Sequence, residues 1–497
     1  MTENKKKGIS PLDFFCIGFG AMVGVGWAVS LNSWIRAAGG PVPSAIGFLI
    51  LMVILVPVAL CFAELVPMLP VAGGSMVFAH KAFGEKPGFI AGWAAYGGFI
   101  SVLPWEAIQI TDVLGYMFPG LTAGDPLYTV AGSPVYLTTI ILGCIVAVLL
   151  FLLNMRGLAA AAGLQKFLCI FLVAAGVIGS IASVIGGSAD NIQPIYDTSN
   201  PLIYGTDPGL AVVSHHSLFT GIVAALPLFV FFLTGFETIP QGIEDAGGDA
   251  GGVGKSIFIA VILSCLFYAM VCLCFGFGMP WQQFVQPTAT GGVITNPSAA
   301  TIFLQIFKGG AGKGLYWLIT CGALAGLLTT WNGFFRPSAN LMMGMARGRM
   351  IPGRLAKQNE NGIPVTAMVI SLVLSMVGPF VGIGVINSIT IFSGTAYVIS
   401  WMLASYSQFR LRDKMPDAER PYKAPFGKYC GLFGGVAMTI LLVLMFIPGN
   451  PCFIGGFAIA MLVIWMVIGA ILYVATGKER NALSDEEREK LLFQTED

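Results

Sequence analysis

Charge is what this sequence has least of. Of its 497 residues only 10% are Asp, Glu, Lys or Arg, and the formal net charge is +1; soluble domains carry about a quarter. With 56% hydrophobic residues and a mean hydropathy of +0.82, that scarcity excludes a water-soluble core. Soluble enzymes, secreted domains and DNA-binding proteins go with it. No basic stripe offers a nucleic-acid footprint. Histidine is scarcer still, at three. The adjacent His215 and His216 would point to opposite sides of an extended chain, so they read as a solvated loop and not as a metal site. The ten cysteines form no CxxC pair and lie almost all inside apolar runs, as small buried hydrophobes. HExxH, GxSxG and paired catalytic carboxylates on one helix face are missing, which leaves a membrane-embedded enzyme without its chemistry. No strand pattern, low-complexity tract or soluble domain is visible, and nothing calls for a metal or a cofactor.

Long apolar runs are what the chain has in excess. A helix crosses the hydrocarbon with about 20 apolar residues. Such runs lie at roughly 11–38, 45–69, 87–118, 134–154, 160–186, 217–245, 253–279, 313–346, 363–382, 383–412, 426–449 and 452–476. The first is too long for a cleavable signal, and no small-residue cleavage site comes after it. Alternate loops must then lie on opposite sides, with Lys and Arg held in the cytoplasm. With the N-terminus inside, 22 of the 26 Lys and Arg fall inside. Only Arg36, Lys308 and Lys313 fall outside, and Arg336 lies within a span. A miscounted helix would invert every later loop and destroy this asymmetry. The sequence therefore predicts an all-α plasma-membrane protein of twelve spans with both termini cytoplasmic. Its organisation is a cytoplasmic N-terminus (1–10), spans one to five (11–186), an extracellular loop (187–216), spans six to ten (217–412), spans eleven and twelve (426–476) and a cytoplasmic tail (477–497). The tail reads as a short amphipathic helix.

Two of these spans are interrupted. Helix one carries Gly18, Gly20, Gly24 and Gly26 at mid-membrane depth, and each glycine costs a helix interior roughly 1 kcal/mol relative to alanine. Close packing through Gly20 and Gly24 is the alternative reading. Helix six carries FFLTGFETIPQG, in which Gly235, Glu237, Pro240 and Gly242 break a second run at the same depth. Two interrupted helices five spans apart point to an inverted-repeat secondary transporter with its site at the midplane. Unwinding frees backbone N–H groups for a carboxylate and C=O groups for an ammonium or a cation. Irregular backbone survives at this depth only where it lines a cavity.

At these residues the chain resembles the amino acid–polyamine–organocation superfamily of permeases. The resemblance runs through GAMVGVGW in helix one and AGGPVPSAIGF after it. It continues in FAELVPMLPVAGGSMVFAHKAFGEKPGFIAGW, FFLTGFE in helix six and MARGRMIPGRL at the end of helix eight. It implies a leucine-transporter-type fold, with helices 1–5 and 6–10 as inverted repeats, helices 11 and 12 peripheral, and alternating access. It implies an amine-bearing small-molecule substrate held between helices one, three, six, eight and ten. The amides of Gly24, Val25 and Gly26 would meet a substrate carboxylate. The carbonyls of Ala21, Phe231 and Thr234 would meet its ammonium, Phe231 would be the aromatic gate, and Glu237 a coupling or gating residue. Three departures stand out. The family's helix-five lysine falls near Leu172, Val25 and Trp27-Ala28 replace the usual residues beside the helix-one glycines, and Asn340 stands where helix eight has an arginine. Arg336, one turn earlier, is the candidate substitute.

Buried charge supplies the remaining candidates. Glu106, in VLPWEAIQITD with Gln109 one turn on, has three open roles: pairing with Arg336 or capping a helix, binding the substrate amine, or coupling a cation or proton. Glu64 is expected to make a structural ion pair, and Asp13 to favour the helix dipole. Arg336 is a gate partner or a snorkelling side chain. Gly20, Val23, Thr329 and Thr330 form a candidate cation site of hard oxygens, although threonine in a membrane helix usually bonds its own backbone. Phe334 packs, or stacks over substrate. The leading function is a secondary-active amino acid transporter, coupled to a proton or sodium or working by exchange. An amine or polyamine carrier is the alternative.

Overall fold

In lipid the backbone of an apolar segment has no hydrogen-bond partner but itself, which forces helix. The computed structural model describes residues 9–122, 124–199, 217–286, 288–290, 293–295 and 297–494; the first eight residues and 200–216, with His215 and His216, lie outside the described residues. Among the described residues ten helices are long and apolar enough to cross a membrane: Pro11–Val29, Pro41–Met68, Leu137–Asn154, Ala162–Gly186, Leu218–Asp245, Ala250–Gly276, Gly310–Arg347, Ile383–Lys414, Tyr429–Phe446 and Gly455–Ala475. Two more helices stand where the sequence places spans three and nine. Glu85–Met117 has 33 residues but carries Pro104, Glu106, Gln109 and Asp112, and Val365–Val381 has only 17. Numbered in chain order, these segments are helices one to twelve. The weak boundary between nine and ten is a real turn, with Gly382 at φ +69° and a short 3-10 run Ile383–Val385.

One expectation is corrected. Two antiparallel hairpins exist, pairing Tyr128–Val130 with Ser133–Val135 and Thr288–Thr290 with Val293–Thr295. Three-residue strands in polar loops are too short to show a period-two pattern.

Burial separates centre from periphery. The apolar windows of helices one and eight are each 78% buried and that of helix six 72%, whereas helix twelve is 17% buried. Helices four, five and eight are joined by amides. Asn154 Nδ2 donates to Asn332 Oδ1 at 2.9 Å, Asn332 Nδ2 to Gln165 Oε1 at 2.9 Å, and Gln165 Nε2 to the Thr329 carbonyl at 3.0 Å. Helix twelve is clasped to helix three by two indoles. Trp93 Nε1 donates to the Trp465 carbonyl and Trp465 Nε1 to the Trp93 carbonyl, at 2.8 and 2.9 Å, with the rings stacked 4.4 Å apart. At the end that carries both termini, Glu64 accepts from Arg412, Gln408 and the Ala424 N–H, and Arg420 lies 3.3 Å away. This is the structural ion pair expected of Glu64. Asp13 joins Ser10 in a capping box that starts helix one, with Lys166 at 3.7 Å.

Candidate functional site

Helix one ends at Met22 and restarts at Gly26, leaving Val23, Gly24 and Val25 non-helical. The Val23 N–H still bonds to Phe19, but among the described residues no backbone carbonyl accepts from the N–H of Val25. With the first N–H groups of the restarted helix, unsatisfied by construction, that leaves donors at a half-helix N-terminus. Tyr268 of helix seven steadies the break. Its hydroxyl donates to the Met22 carbonyl at 2.5 Å and lies against the Gly24 amide.

Helix six breaks at the same level. Its α-helix stops at Phe232, Gly235 takes φ +138°, and Phe236–Asp245 continues as a 3-10 run. Gly235 presses on helix one so closely that an added Cβ would lie 2.5 Å from the Met22 nitrogen. Glu237 closes the turn. It accepts from the Gly235 N–H at 2.7 Å and from the Trp401 indole of helix ten. The Thr234 hydroxyl returns to the Phe231 carbonyl at 2.7 Å, so that carbonyl is already engaged.

The two breaks face one cavity with an empty volume of about 260 Å³, its mouth included. It is lined by Ala21, Met22, Gly24, Val25 and Gly26 of helix one, by Val102, Trp105 and Glu106 of helix three, by Phe231, Phe232 and Thr234 of helix six, and by Thr330 and Phe334 of helix eight. Phe231 lies 5.3 Å from the Trp105 ring and edge-on to Phe232. Phe334 both lines the cavity and packs edge-on against Phe99.

Glu106 is 2% exposed, and its Oε2 has no hydrogen-bond partner among the described residues; neither has Gln109 Oε1. Glu106 does not pair with Arg336, which instead reaches Asp245 at 3.4 Å, at the end of helix six. Asn340 ties helix eight to the same segment, donating to the Gln241 carbonyl at 2.7 Å. Thr330 donates to the Gly20 carbonyl at 3.3 Å and Thr329 to its own helix at Gly326, 2.8 Å away. Val23 and Gly20 do not line the cavity. In helix five the side chain that reaches Gly20 is Gln165, whereas Leu172 is an apolar core residue, fully buried.

All eight residues that the sequence assigns to the substrate therefore share one cavity, while Glu237 and Arg336 stand behind it, toward the end that carries the termini. Sequence reasoning misses Trp105, Phe232 and Tyr268. In a chain that is 12% aromatic, no spacing separates a cavity ring from a packing ring.

The family model described as amino acid permease matches residues 13–484. The chain is 22% identical over 483 residues to the branched-chain amino acid permease BcaP of Lactococcus lactis subsp. cremoris, covering 94% of each chain. It is 24% identical over 429 residues to the aspartate-proton symporter of Bacillus subtilis, covering 84% of this chain and 75% of that one. It is 20% identical over 504 residues to the aromatic amino acid transport protein AroP of Escherichia coli K12, covering 97% and 98%. A multi-pass chain whose broken helices border a small cavity, matched along nearly its whole length, belongs to the amino acid permease family.

Proposed function

We propose that this chain is a secondary-active transporter that carries an amino acid across the plasma membrane by alternating access. In this reading it has twelve spans, both termini in the cytoplasm, and helices one to five and six to ten as inverted repeats. One observation carries the reading: two helices are broken at the same level and bring opposite polar ends to one cavity. The amides from Gly24 to Gly26 receive the substrate carboxylate, and the Ala21 and Thr234 carbonyls its ammonium. Phe231 covers it. The relatives are named for branched-chain, aromatic and acidic amino acids, which supports an amino acid as cargo. The aspartate-proton symporter among them supports a proton as the coupling ion.

Glu106 favours a second reading, an amine or polyamine carrier. A zwitterion brings no net charge to a buried carboxylate, whereas a cationic amine would neutralise it. A thermal-shift screen of purified protein against amino acids and amines, followed by counterflow in proteoliposomes, tests both. A bound ligand raises the melting temperature by mass action, and only a carrier accelerates exchange when preloaded. Uptake that ignores preloading would leave a channel; no stabilisation by any amino acid or amine would remove the site.

A further inference from the structure

The tail does more than trail from helix twelve. Its last helix, Asp485–Phe493, folds back under the ends of helices that line the cavity. Arg488 pairs with Glu85 at the start of helix three at 2.5 Å, and Arg480 meets the same carboxylate at 2.8 Å. Glu489 pairs with Lys81 in the short helix Ser75–Phe83, between helices two and three. Leu492 is fully buried, and Phe493 covers His80 and lies under the Lys81 ammonium, 5.0 Å from its ring centre.

The tail then reaches a carboxylate that already holds three elements together. Glu244, at the end of helix six, accepts from Arg347 of helix eight at 2.6 Å and from the Ala72 N–H after helix two at 2.9 Å. Gln494 donates to that same oxygen at 2.9 Å. In the docked form the tail thus bridges the ends of helices three, six and eight and the loop after helix two. The cavity cannot open toward this side until those ends part.

We propose that the C-terminal helix Asp485–Phe493 is an autoinhibitory latch, which holds the termini-bearing side closed when docked and permits opening when released. The proposal rests on the alternating-access reading. Its bonds suit a reversible device. Most are partly exposed ion pairs, individually weak, around a single buried leucine anchor.

The test uses full-length protein in proteoliposomes. Truncation after Leu483 and, separately, Leu492→Ala should raise the initial rate of uptake by about three- to tenfold through a shift toward the open population. The KM should move with the rate, because apparent affinity follows the fraction of carrier in the binding-competent state. Conversely, Lys81→Cys with Glu489→Cys, joined by a reducible bifunctional thiol reagent, should stop uptake, and reductant should restore it. The same treatment of the parent chain controls for native cysteines. Unchanged rates in folded truncated protein, or normal uptake with the tail cross-linked, would overturn the latch. A parent chain that transports nothing would sink the transport reading itself, and the latch with it.

Discussion

Gly235 meets two demands that no other residue type satisfies. Its φ of +138° is open to glycine almost alone, and its α-carbon faces the Met22 nitrogen with no room for a methyl group. Gly24 and Gly26 stand under a similar limit, because a Cβ would run into the Thr330 hydroxyl at the first and lie 2.5 Å from the Phe232 ring at the second. Leucine at either place would fill the cavity and cover the amides at the break. Gly24→Leu and Gly26→Leu are therefore expected to abolish uptake while folded protein remains in the membrane. Normal uptake kinetics at normal expression would take the site away from helix one. Glu106→Gln keeps the shape of the side chain and removes its charge. Losing a desolvated charge partner costs about 2–5 kcal/mol, so binding of a cationic amine should fall at least about tenfold while a neutral amino acid is spared. If the carboxylate serves a proton instead, binding survives and accumulation against a gradient is lost. Binding of both classes and concentrative uptake all unchanged would make Glu106 a lining residue and nothing more. These residues were legible because glycine runs and a carboxylate are costly in an apolar span and so stand out. Gln165 and Tyr268 did not stand out, since what they do depends on which neighbour the fold brings to them.

At the scale of the element, the second half of helix six is held by its own glutamate. Glu237 accepts from both the Gly235 N–H and the Trp401 indole. A glutamine there offers one carbonyl oxygen in place of two carboxylate oxygens, so one donor is left buried without a partner, at about 1–3 kcal/mol. Glu237→Gln should lower both thermal stability and transport. Adding Trp401→Phe removes the orphaned donor and should recover part of the stability, a coupling that a double-mutant cycle reads directly. Additive losses would disconnect the two residues. The sequence predicted an interrupted helix here but not a 3-10 run, because the winding is set by bonds to helix ten and helix eight. A helix in the tail was legible, although it is not the amphipathic one expected; its docking was not legible, since the partners lie some 400 residues earlier in the chain, as with Arg488 and Glu85. Burial pulls the His80 pKa below its ordinary 6.5, with Glu489 and Glu85 opposing and Lys81 and Arg488 reinforcing the shift. The folded state thus favours neutral His80, so the stability tied to it is complete above that value and declines as the pH falls below it. Hydrogen exchange in 485–493, corrected for intrinsic rates, should be faster at about pH 5.5 than at neutrality. Equal protection would separate His80 from the tail.

For the whole molecule, the span count and the sidedness stand or fall together. Cysteine at Ala189, in a background without native cysteines, should react with an impermeant reagent from outside, and cysteine at Lys414 only after permeabilisation. The reverse pattern would turn the molecule over and place the latch outside. Helix positions were legible to within a few residues because hydrophobicity sets them, as in Pro41–Met68 against a reading of 45–69. Contacts between helices were not, since apolar side chains meet lipid and protein on nearly equal terms. The indole clasp is one such contact. Helix twelve is only 17% buried, yet its Trp465 exchanges hydrogen bonds with Trp93 on the very helix that carries Trp105 and Glu106. Glu106 stands thirteen positions beyond Trp93 on that helix, about 20 Å along its axis, with Pro104 between them. The clasp therefore ties the least buried of the ten long apolar helices to the helix that walls the cavity.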